Sequence, residues 1–198
     1  MKQGMLYNPH KTGLHDNWLR CKRLLQYFNG TPWDPQNSRM EFIEELFWDI
    51  GEECYIEPPF FCNHGNISVG NKFYSNTGLT ILDEGQVVIG NRVLFGPHVS
   101  IYTSGHPIDA AIRATGLEYA QAVHIGDDVW IGGNTVINPG VKIGNGTIIG
   151  SGSVVTKDIP DNVVAAGNPC RILRTITPHD IDYWHEEFYK YINDIDGK

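Results

Sequence analysis

The chain has 198 residues, of which 41% are hydrophobic and 19% charged, as in one ordinary soluble domain with small appendages. Its formal net charge of −8 argues against a nucleic-acid-binding surface, which would show a basic stripe. The 22 glycines follow no collagen period.

The cysteine pattern and the N-terminus both favour a cytosolic protein. The cysteines form no C-x-x-C pair and are too few for a disulfide scaffold, so we expect reduced thiols at Cys21, Cys54, Cys62 and Cys170. The opening MKQGMLYNPHKTG lacks the apolar core of a signal peptide. A membrane-spanning helix needs about 18 consecutive apolar residues, and no apolar run in the sequence approaches that length.

Two helices are predicted first in chain order. Apolar residues recur at helical spacing at Trp18, Cys21, Leu24, Leu25 and Phe28. A second helix is predicted in SRMEFIEELFWDI, where Ser38 and Glu41 have the spacing of a capping box. The segment EPPFF (57–61) then leads into a different pattern.

An aliphatic β-branched residue recurs at every sixth position in the second half of the chain, at Ile125, Ile131, Ile137, Ile143, Ile149 and Val155. A looser form of the same repeat precedes it, with a phase slip near Asp83 and Gly85. A period of six fits neither a helix nor an alternating strand, but it is typical of a parallel β-helix in which three six-residue units close one triangular coil. The repeated residues are then expected inside the coil, with glycine and Asn145-Gly146 at its corners.

The repeat is lost from about residue 102 to 122 and a histidine, His106, stands in the gap. Ile101 and Ile125 are 24 residues apart, a multiple of six, so the phase alone does not distinguish an insertion from degraded repeats. The composition of the segment favours a loop that leaves the coil, and long loops of this kind tend to be functional.

Thr177-Pro178-His179-Asp180 has the pattern of a helix start and predicts a last helix. We therefore divide the chain into an N-terminal helical segment (1–57), a β-helix (58–173) and a C-terminal helix (174–198). The helices are expected to cover the ends of the coil or to contact neighbouring chains.

The segments GHPID, IGDDVWIGGNTVINPG, SVVTKDIP, AAGNPCRIL and NKFYSNTGLTILD together resemble the galactoside and maltose O-acetyltransferases over nearly the whole chain. The resemblance implies a left-handed parallel β-helix that binds acetyl-CoA as co-substrate and assembles as a homotrimer with active sites between coils. It implies acetyl transfer to a hydroxyl, the 6-OH, of a sugar such as a galactoside, a glucoside or maltose, without a metal.

The catalytic histidine of that family maps to His106 in the Gly-His-Pro setting. A sugar hydroxyl is a poor nucleophile at neutral pH, and an imidazole can accept its proton during attack on the thioester. The group that orients His106 is left open by the sequence: Asp109, Glu118 and a backbone carbonyl are the alternatives.

The resemblance places the acceptor-binding residues at Asn63, Tyr74, Asn76 and Asp83. Asn63 stands where the family often has Ser or Asp, and Trp18 stands where a polar helix residue is expected. These two departures bear on which sugar is used.

The same resemblance places the CoA-binding residues at Gly133, Ser151, Thr156, Lys157, Arg171 and Arg174. The two small residues suit a groove whose backbone amides hold the pantetheine arm, and the basic side chains suit the phosphates.

Two other classes of function are open from the sequence. A zinc carbonic anhydrase on the same scaffold would use His98, His106 and His124 as ligands. The other class is a non-catalytic binding or scaffold protein, which acetyl transfer from acetyl-CoA to any sugar would exclude.

Overall fold

In a computed structural model, residues 4–9, 15–34 and 36–196 are described, with side chains through residue 194. The helices are α1 (His15–Gly30), α2 (Met40–Leu46), α3 (Ala110–Arg113) and α4 (Pro178–Asp196). The strands are, in chain order, β1 (Asp49–Ile50), β2 (Tyr55–Ile56), β3 (Phe61–Cys62), β4 (Ile67–Val69), β5 (Tyr74–Ser75), β6 (Thr80–Leu82), β7 (Val87–Ile89), β8 (Leu94–Phe95), β9 (Ser100–Tyr102), β10 (Ser104–Gly105), β11 (Tyr119–Ala120), β12 (Val123–Ile125), β13 (Trp130–Ile131), β14 (Val136–Ile137), β15 (Lys142–Ile143), β16 (Ile148–Ile149), β17 (Val154–Val155), β18 (Val163–Ala166) and β19 (Arg171–Thr175).

Three parallel sheets form the sides of a triangular prism, which confirms the predicted β-helix. Side one has the order β1-β4-β7-β12-β15, side two β2-β5-β8-β13-β16-β18, and side three β3-β6-β9-β14-β17. The chain passes from side one to two to three and then to side one of the next coil. We name the corners edge one (between sides one and two), edge two (between sides two and three) and edge three (between sides three and one).

The six-residue repeat places its aliphatic residues inside the prism. Ile131, Ile137 and Ile149 are fully buried, and they stack in register on Phe95, Ile101 and Ala165 of neighbouring coils. Each fully buried side chain of this size contributes about 1.5–3 kcal/mol relative to its exposed state. The first coil strand is β1 at Asp49, earlier than the predicted boundary at residue 58.

Edge one is closed by a ladder of side chains. One Asn or Asp in each coil accepts a hydrogen bond through Oδ1 from a backbone N–H of the preceding coil, at 2.7–2.9 Å, at positions 71, 91, 127, 145 and 161. The residue after each of them has a positive φ, as at Lys72 (59°) and Gly146 (62°). The ladder satisfies backbone donors that the turn leaves without a strand partner.

The N-terminal helices cover the open end of the first coil. Phe28 of α1 packs edge-on against Phe60 at 6.4 Å between ring centroids, and Phe47 packs on the same ring at 5.7 Å. The predicted capping box at the start of α2 is wrong: the Ser38 hydroxyl donates to Asp34 at 2.6 Å, and Arg39 is the N-cap residue without a side-chain cap.

The C-terminal end differs from the prediction of a helix alone. Strand β19 first turns back antiparallel to β18, and α4 begins after it. Asp180 accepts hydrogen bonds from the backbone N–H and the hydroxyl of Thr177, both at 2.8 Å, which caps α4 as the sequence predicts. The apolar stripe of α4 remains exposed, with Trp184 at 66% and Phe188 at 58%.

Candidate active site

The extra residues of the coil are concentrated at edge three. Inward-facing residues on either side of this edge are separated by seven positions (Cys62 to Val69), eight (Ile81 to Ile89) and 24 (Ile101 to Ile125). Because Ile101 and Ile125 lie on successive sides of the prism, the last interval is an insertion that leaves the coil and not a stretch of degraded repeats.

The insertion folds back on itself as a hairpin. Strand β10 pairs antiparallel with β11, with Gly105 opposite Tyr119. A Cβ at Gly105 would lie 2.6 Å from the Tyr119 hydroxyl, so a larger residue would have to displace the Tyr119 side chain. Between the two strands, Asp109 caps α3 by accepting from the backbone N–H of Ile112 at 2.9 Å.

His106 directly follows β10 and faces two of its three predicted orienting groups. Its Nδ1 lies 3.4 Å from the Leu117 carbonyl oxygen, and its Nε2 lies 4.0 Å from Glu118 Oε1. The imidazole side chain is 54% exposed, so a substrate can reach it. The third group, Asp109, is used by the α3 cap.

Glu118 is held by Tyr7, which the sequence reasoning missed. The Tyr7 hydroxyl donates to Glu118 Oε2 at 2.8 Å, and the two residues also exchange backbone hydrogen bonds at 2.8 and 3.0 Å. Burial raises the pKa of the Tyr7 phenol, and its bond to Glu118 raises the pKa further, so Tyr7 remains a donor. The sequence signal was the segment LYNP, whose tyrosine had no assigned role.

Asp83, a predicted acceptor-binding residue, holds the backbone of residues 63–66. It is fully buried, and its carboxylate accepts from the backbone N–H groups of Asn63 (2.7 Å), His64 (3.1 Å) and Asn66 (2.6 Å). Burial raises its pKa, against the lowering effect of these three donors. The sugar contact predicted for Asp83 stays a prediction, and in this structure its carboxylate oxygens accept hydrogen bonds that fix residues 63–66.

The neighbouring Glu84 is the carboxylate that faces a cleft. Its Oε1 accepts from Asn63 Nδ2 at 2.6 Å, and its Oε2 accepts from the Ser104 hydroxyl at 2.9 Å. The cleft has a volume of about 430 Å³ and is lined by Tyr7, Pro9, His15, Trp18, Asn63, His64, Glu84 and Glu118. Asn63, a predicted acceptor-binding residue, thus lies in the cleft, and so does Glu84, which was not identified from the sequence.

The remaining predicted acceptor residues lie on edge two or beside it, away from His106. Asn76 follows β5, and its Oδ1 accepts from the backbone N–H of Thr77 at 2.8 Å. Tyr74 stacks on Tyr55 on the outer surface of side two, with ring planes 7° apart. Side three separates these residues from His106 within one chain.

The predicted CoA residues are divided between the two edges. Gly133 and Ser151 lie on edge two, the former buried and the latter exposed. Thr156 and Lys157 are exposed on edge three, between β17 and the Ile143–Ile159 bridge. The structure therefore brings Thr156 and Lys157 to the same edge as His106 but places the two small residues on the other.

The two predicted arginines lie on β19 or at its start. Arg171 donates to the Cys170 carbonyl oxygen at 2.8 Å. Arg174 forms a bidentate pair with Asp180 at 2.7 and 2.8 Å, and this pair holds the pKa of the Asp180 carboxyl well below its usual range. A phosphate would have to compete with Asp180 for Arg174.

The described stretches, 4–9, 15–34 and 36–196, contain no set of three His, Cys, Asp or Glu side chains placed to hold a metal ion. None of the helices in those stretches combines the length and the apolar composition needed to cross a bilayer.

Two sequence models of known families match the chain. Residues 1–51 match the maltose acetyltransferase hexapeptide capping motif, and residues 122–157 match the bacterial transferase hexapeptide (six repeats). The chain is 42% identical over 189 residues to galactoside O-acetyltransferase of Escherichia coli K12, covering 95% of this chain and 93% of the relative. It is also 42% identical over 177 residues to galactoside O-acetyltransferase of Lactococcus lactis, covering 88% and 86%.

Solved structures give the same result. A maltose O-acetyltransferase from Clostridium difficile 630 superposes with a TM-score of 0.86 at 43% identity, covering 88% of this chain and 94% of that one. A galactoside acetyltransferase in complex with coenzyme A superposes with a TM-score of 0.87 at 44% identity, covering 89% of each chain.

Proposed function

This chain belongs to the galactoside and maltose O-acetyltransferase family and is an acetyl-CoA-dependent acyltransferase, and on that premise we propose that His106 is its general base and that the acceptor is the 6-hydroxyl of a hexopyranoside. The observation that carries the proposal is the position of His106, half exposed and within 4.0 Å of Glu118, which lines the cleft. The 6-hydroxyl extends furthest from a pyranose ring, so it can reach His106 while the ring stays in the cleft.

The geometry supports a specific role for each imidazole nitrogen. With its hydrogen on Nδ1, His106 donates toward the Leu117 carbonyl, which leaves Nε2 free to accept the hydroxyl proton. The sugar oxygen then forms a bond to the acetyl carbonyl carbon, the carbon–sulfur bond breaks, and the departing CoA thiolate takes the proton back from Nε2. Glu118 faces the positive charge that the ring carries between these two proton transfers.

In the acceptor cleft, Glu84 and Asn63 are the proposed ligands of the sugar hydroxyls. Both side chains lie in the wall of the cleft and already orient each other through the 2.6 Å bond between them. Tyr74 and Asn76 stay proposed acceptor residues only through a second copy of the chain, since they lie beyond side three.

The residues present fit acetyl-CoA along the flank of the prism. Ser151 and Gly152 are exposed at edge two, and a Cβ at Gly152 would meet no heavy atom within 4 Å in the described part of the chain, so the corner is open to a pantetheine arm. Gly133 and Ser151 of one copy and Thr156 and Lys157 of another are proposed to line the groove, with Arg171 and Arg174 toward the phosphates.

We propose a homotrimer because the site residues occupy two different edges of the prism. Edge three of one copy, with His106, would face edge two of the next, with Asn76. Side two supports this packing: its outward residues form an apolar row in register, Tyr55, Tyr74, Leu94, Trp130, Ile148 and Val164. The matching row on side one is largely polar, with Asp49, Ser68, His124 and Lys142.

The assembly can be tested at Trp130, whose side chain is 53% exposed in the single chain. Trp130→Glu should give monomers by light scattering and abolish acetyl transfer, whereas Lys142→Glu on side one should leave both unchanged. A monomeric Trp130→Glu variant with full activity would exclude a site shared between copies.

The base is tested by His106→Ala with CoA release as the assay. We expect a loss of about 10²–10⁴ in kcat with CoA affinity preserved. His124→Ala is the matched control, because this histidine lies on the outer surface of side one, and it should be fully active. Unchanged turnover in His106→Ala would remove the general-base role, and equal losses in both variants would favour the metal-dependent alternative.

We also propose a cytoplasmic location, where acetyl-CoA is available. The four cysteines are free thiols, including the buried pair Cys21 and Cys62, whose sulfurs lie 3.4 Å apart and share a hydrogen bond, not a disulfide bond.

A further inference from the structure

The wall of the acceptor cleft contains one large aromatic side chain from α1, Trp18. Trp18 is 39% exposed, whereas three other apolar residues of the same helix, Cys21, Leu25 and Phe28, are exposed by 3% or less. Because pockets for small molecules are lined mainly by hydrophobic and aromatic side chains, an indole exposed inside a cleft is a candidate for ligand contact.

Neighbouring side chains fix the position of the indole. Lys22 donates to the Cys62 carbonyl at 2.8 Å and to Asn63 Oδ1 at 3.1 Å, and its Nζ lies 5.5 Å from the centroid of the Trp18 ring. The His15 ring is nearly parallel to the indole, at 15° and 6.1 Å between centroids. Because Asn63 also donates to Glu84, the indole is positioned relative to the carboxylate that is proposed to bind the acceptor.

The cleft offers what a pyranose ring needs from a binding site. Such a ring has an apolar C–H face, which packs on an aromatic ring, and a rim of hydroxyls, which require hydrogen-bond partners. Trp18 supplies the first, and Asn63, His64 and His15 supply polar groups around it. The volume of about 430 Å³ lies within the roughly 300–1,000 Å³ of pockets for drug-sized ligands, which are larger than one hexose.

We propose that Trp18 is a specificity-determining residue that selects acceptors with a second pyranose ring. The second ring stacks its C–H face on the indole while the first ring presents its hydroxyl to His106. The location of the first ring rests on the proposed function. The contact between the second ring and Trp18 concerns binding alone and can be tested independently of catalysis.

The test compares each methyl hexopyranoside with the matching disaccharide: methyl β-galactopyranoside with lactose, and methyl α-glucopyranoside with maltose. Trp18→Ala should raise the KM of the preferred disaccharide roughly 3- to 10-fold, and leave kcat and the KM of the methyl glycoside unchanged. Trp18→Phe keeps a ring and should restore part of the loss. Trp33→Ala, which removes a tryptophan that is 70% exposed outside the cleft, is the matched control and should behave as the wild type.

Equal changes for both acceptors, or no change for either, would overturn the proposal. A p-nitrophenyl hexopyranoside is included as a third acceptor: if Trp18→Ala impairs its use but not that of the disaccharide, the indole selects an aryl group and the proposal is wrong.

Calorimetric titration of the disaccharides into CoA-saturated protein separates this inference from the proposed function. Binding that weakens in Trp18→Ala, without acetylation of any sugar, would reject the proposed function and retain the inference. If sugars are acetylated but the disaccharide affinities are the same in the wild type and Trp18→Ala, the proposed function is retained and the inference is rejected. Wild-type protein that binds neither disaccharide would overturn the inference.

Discussion

Asp83→Asn and Glu84→Gln, made separately, distinguish a carboxylate that holds the backbone from one that faces the substrate. Asp83 is fully buried and serves three backbone N–H groups with two oxygens. In Asp83→Asn, the NH₂ group that replaces one carboxylate oxygen is a hydrogen-bond donor. It would face a backbone N–H of residues 63–66, which is also a donor and would lose its acceptor. Glu84 lies in the cleft wall, where its surroundings can adjust to an amide.

The expected magnitudes follow from these contacts. A hydrogen bond to a charged acceptor contributes about 1.5–3 kcal/mol, and relief of the buried charge of Asp83 offsets part of it, so Asp83→Asn should cost about 1–2 kcal/mol of unfolding free energy. For a chain of this length that lowers Tm by about 2–8 °C. Glu84→Gln should change stability by less than about 0.5 kcal/mol but raise the acceptor KM about 10- to 100-fold.

Thermal unfolding and the acceptor KM are measured on both variants, with CoA affinity as the control for an intact donor site. An Asp83→Asn variant that is as stable as the wild type and has a strongly raised sugar KM would show that Asp83 binds the acceptor. The assignment of the two neighbouring acids would then be reversed.

Three further predictions concern the catalytic loop, the packing of edge two and the start of α4. Glu118→Gln removes the charge 4.0 Å from His106 and should lower kcat about tenfold with little change in either KM; an unchanged kcat would remove Glu118 from the mechanism. Gly96→Ala places a Cβ 2.5 Å from a backbone nitrogen of the next coil and should cost about 1–3 kcal/mol in urea unfolding, whereas Gly30→Ala, with open space around it, should cost none. Because the pKa of Asp180 is lowered in the folded state, this carboxylate stabilises the fold fully above the ordinary carboxyl range, and the stabilisation is lost as the pH falls below about 4. An acid titration of the helix signal by circular dichroism should show this loss in the wild type but not in Asp180→Asn.

The six-residue repeat was enough to predict the prism, because one side chain per flat side must point inward and the same spacing recurs. Ile131, Ile137 and Ile149 needed no other information to be placed in the core. His106 was predicted from its Gly-His-Pro setting in the gap together with the resemblance, and Asn63 from the resemblance alone.

Where the spacing changes, the repeat no longer says which side chains point inward. Between Ile81 and Ile89 the interval is eight residues, so the repeat does not say which of Asp83 and Glu84 points inward, and the prediction for Asp83 was taken from the resemblance alone. Tyr7 and Glu118 are 111 residues apart in sequence and meet only because the insertion folds back as a hairpin. The pairing of Arg174 with Asp180 depends on the turn after β19, a strand that has no six-residue signal.

The hydrogen-bonded ladder along edge one has a consequence for how this architecture can change over time. Each rung fixes the length of the turn beside it, since a lengthened turn would leave amides of the adjoining coil without acceptors. At edge three the side-chain acceptors, Asp83 and Asp158, do not recur at one position of every coil, and this edge already tolerates one, two and eighteen additional residues. Relatives with new acceptor preferences should therefore differ mainly by loop length at that single corner, while the rest of the prism keeps its spacing.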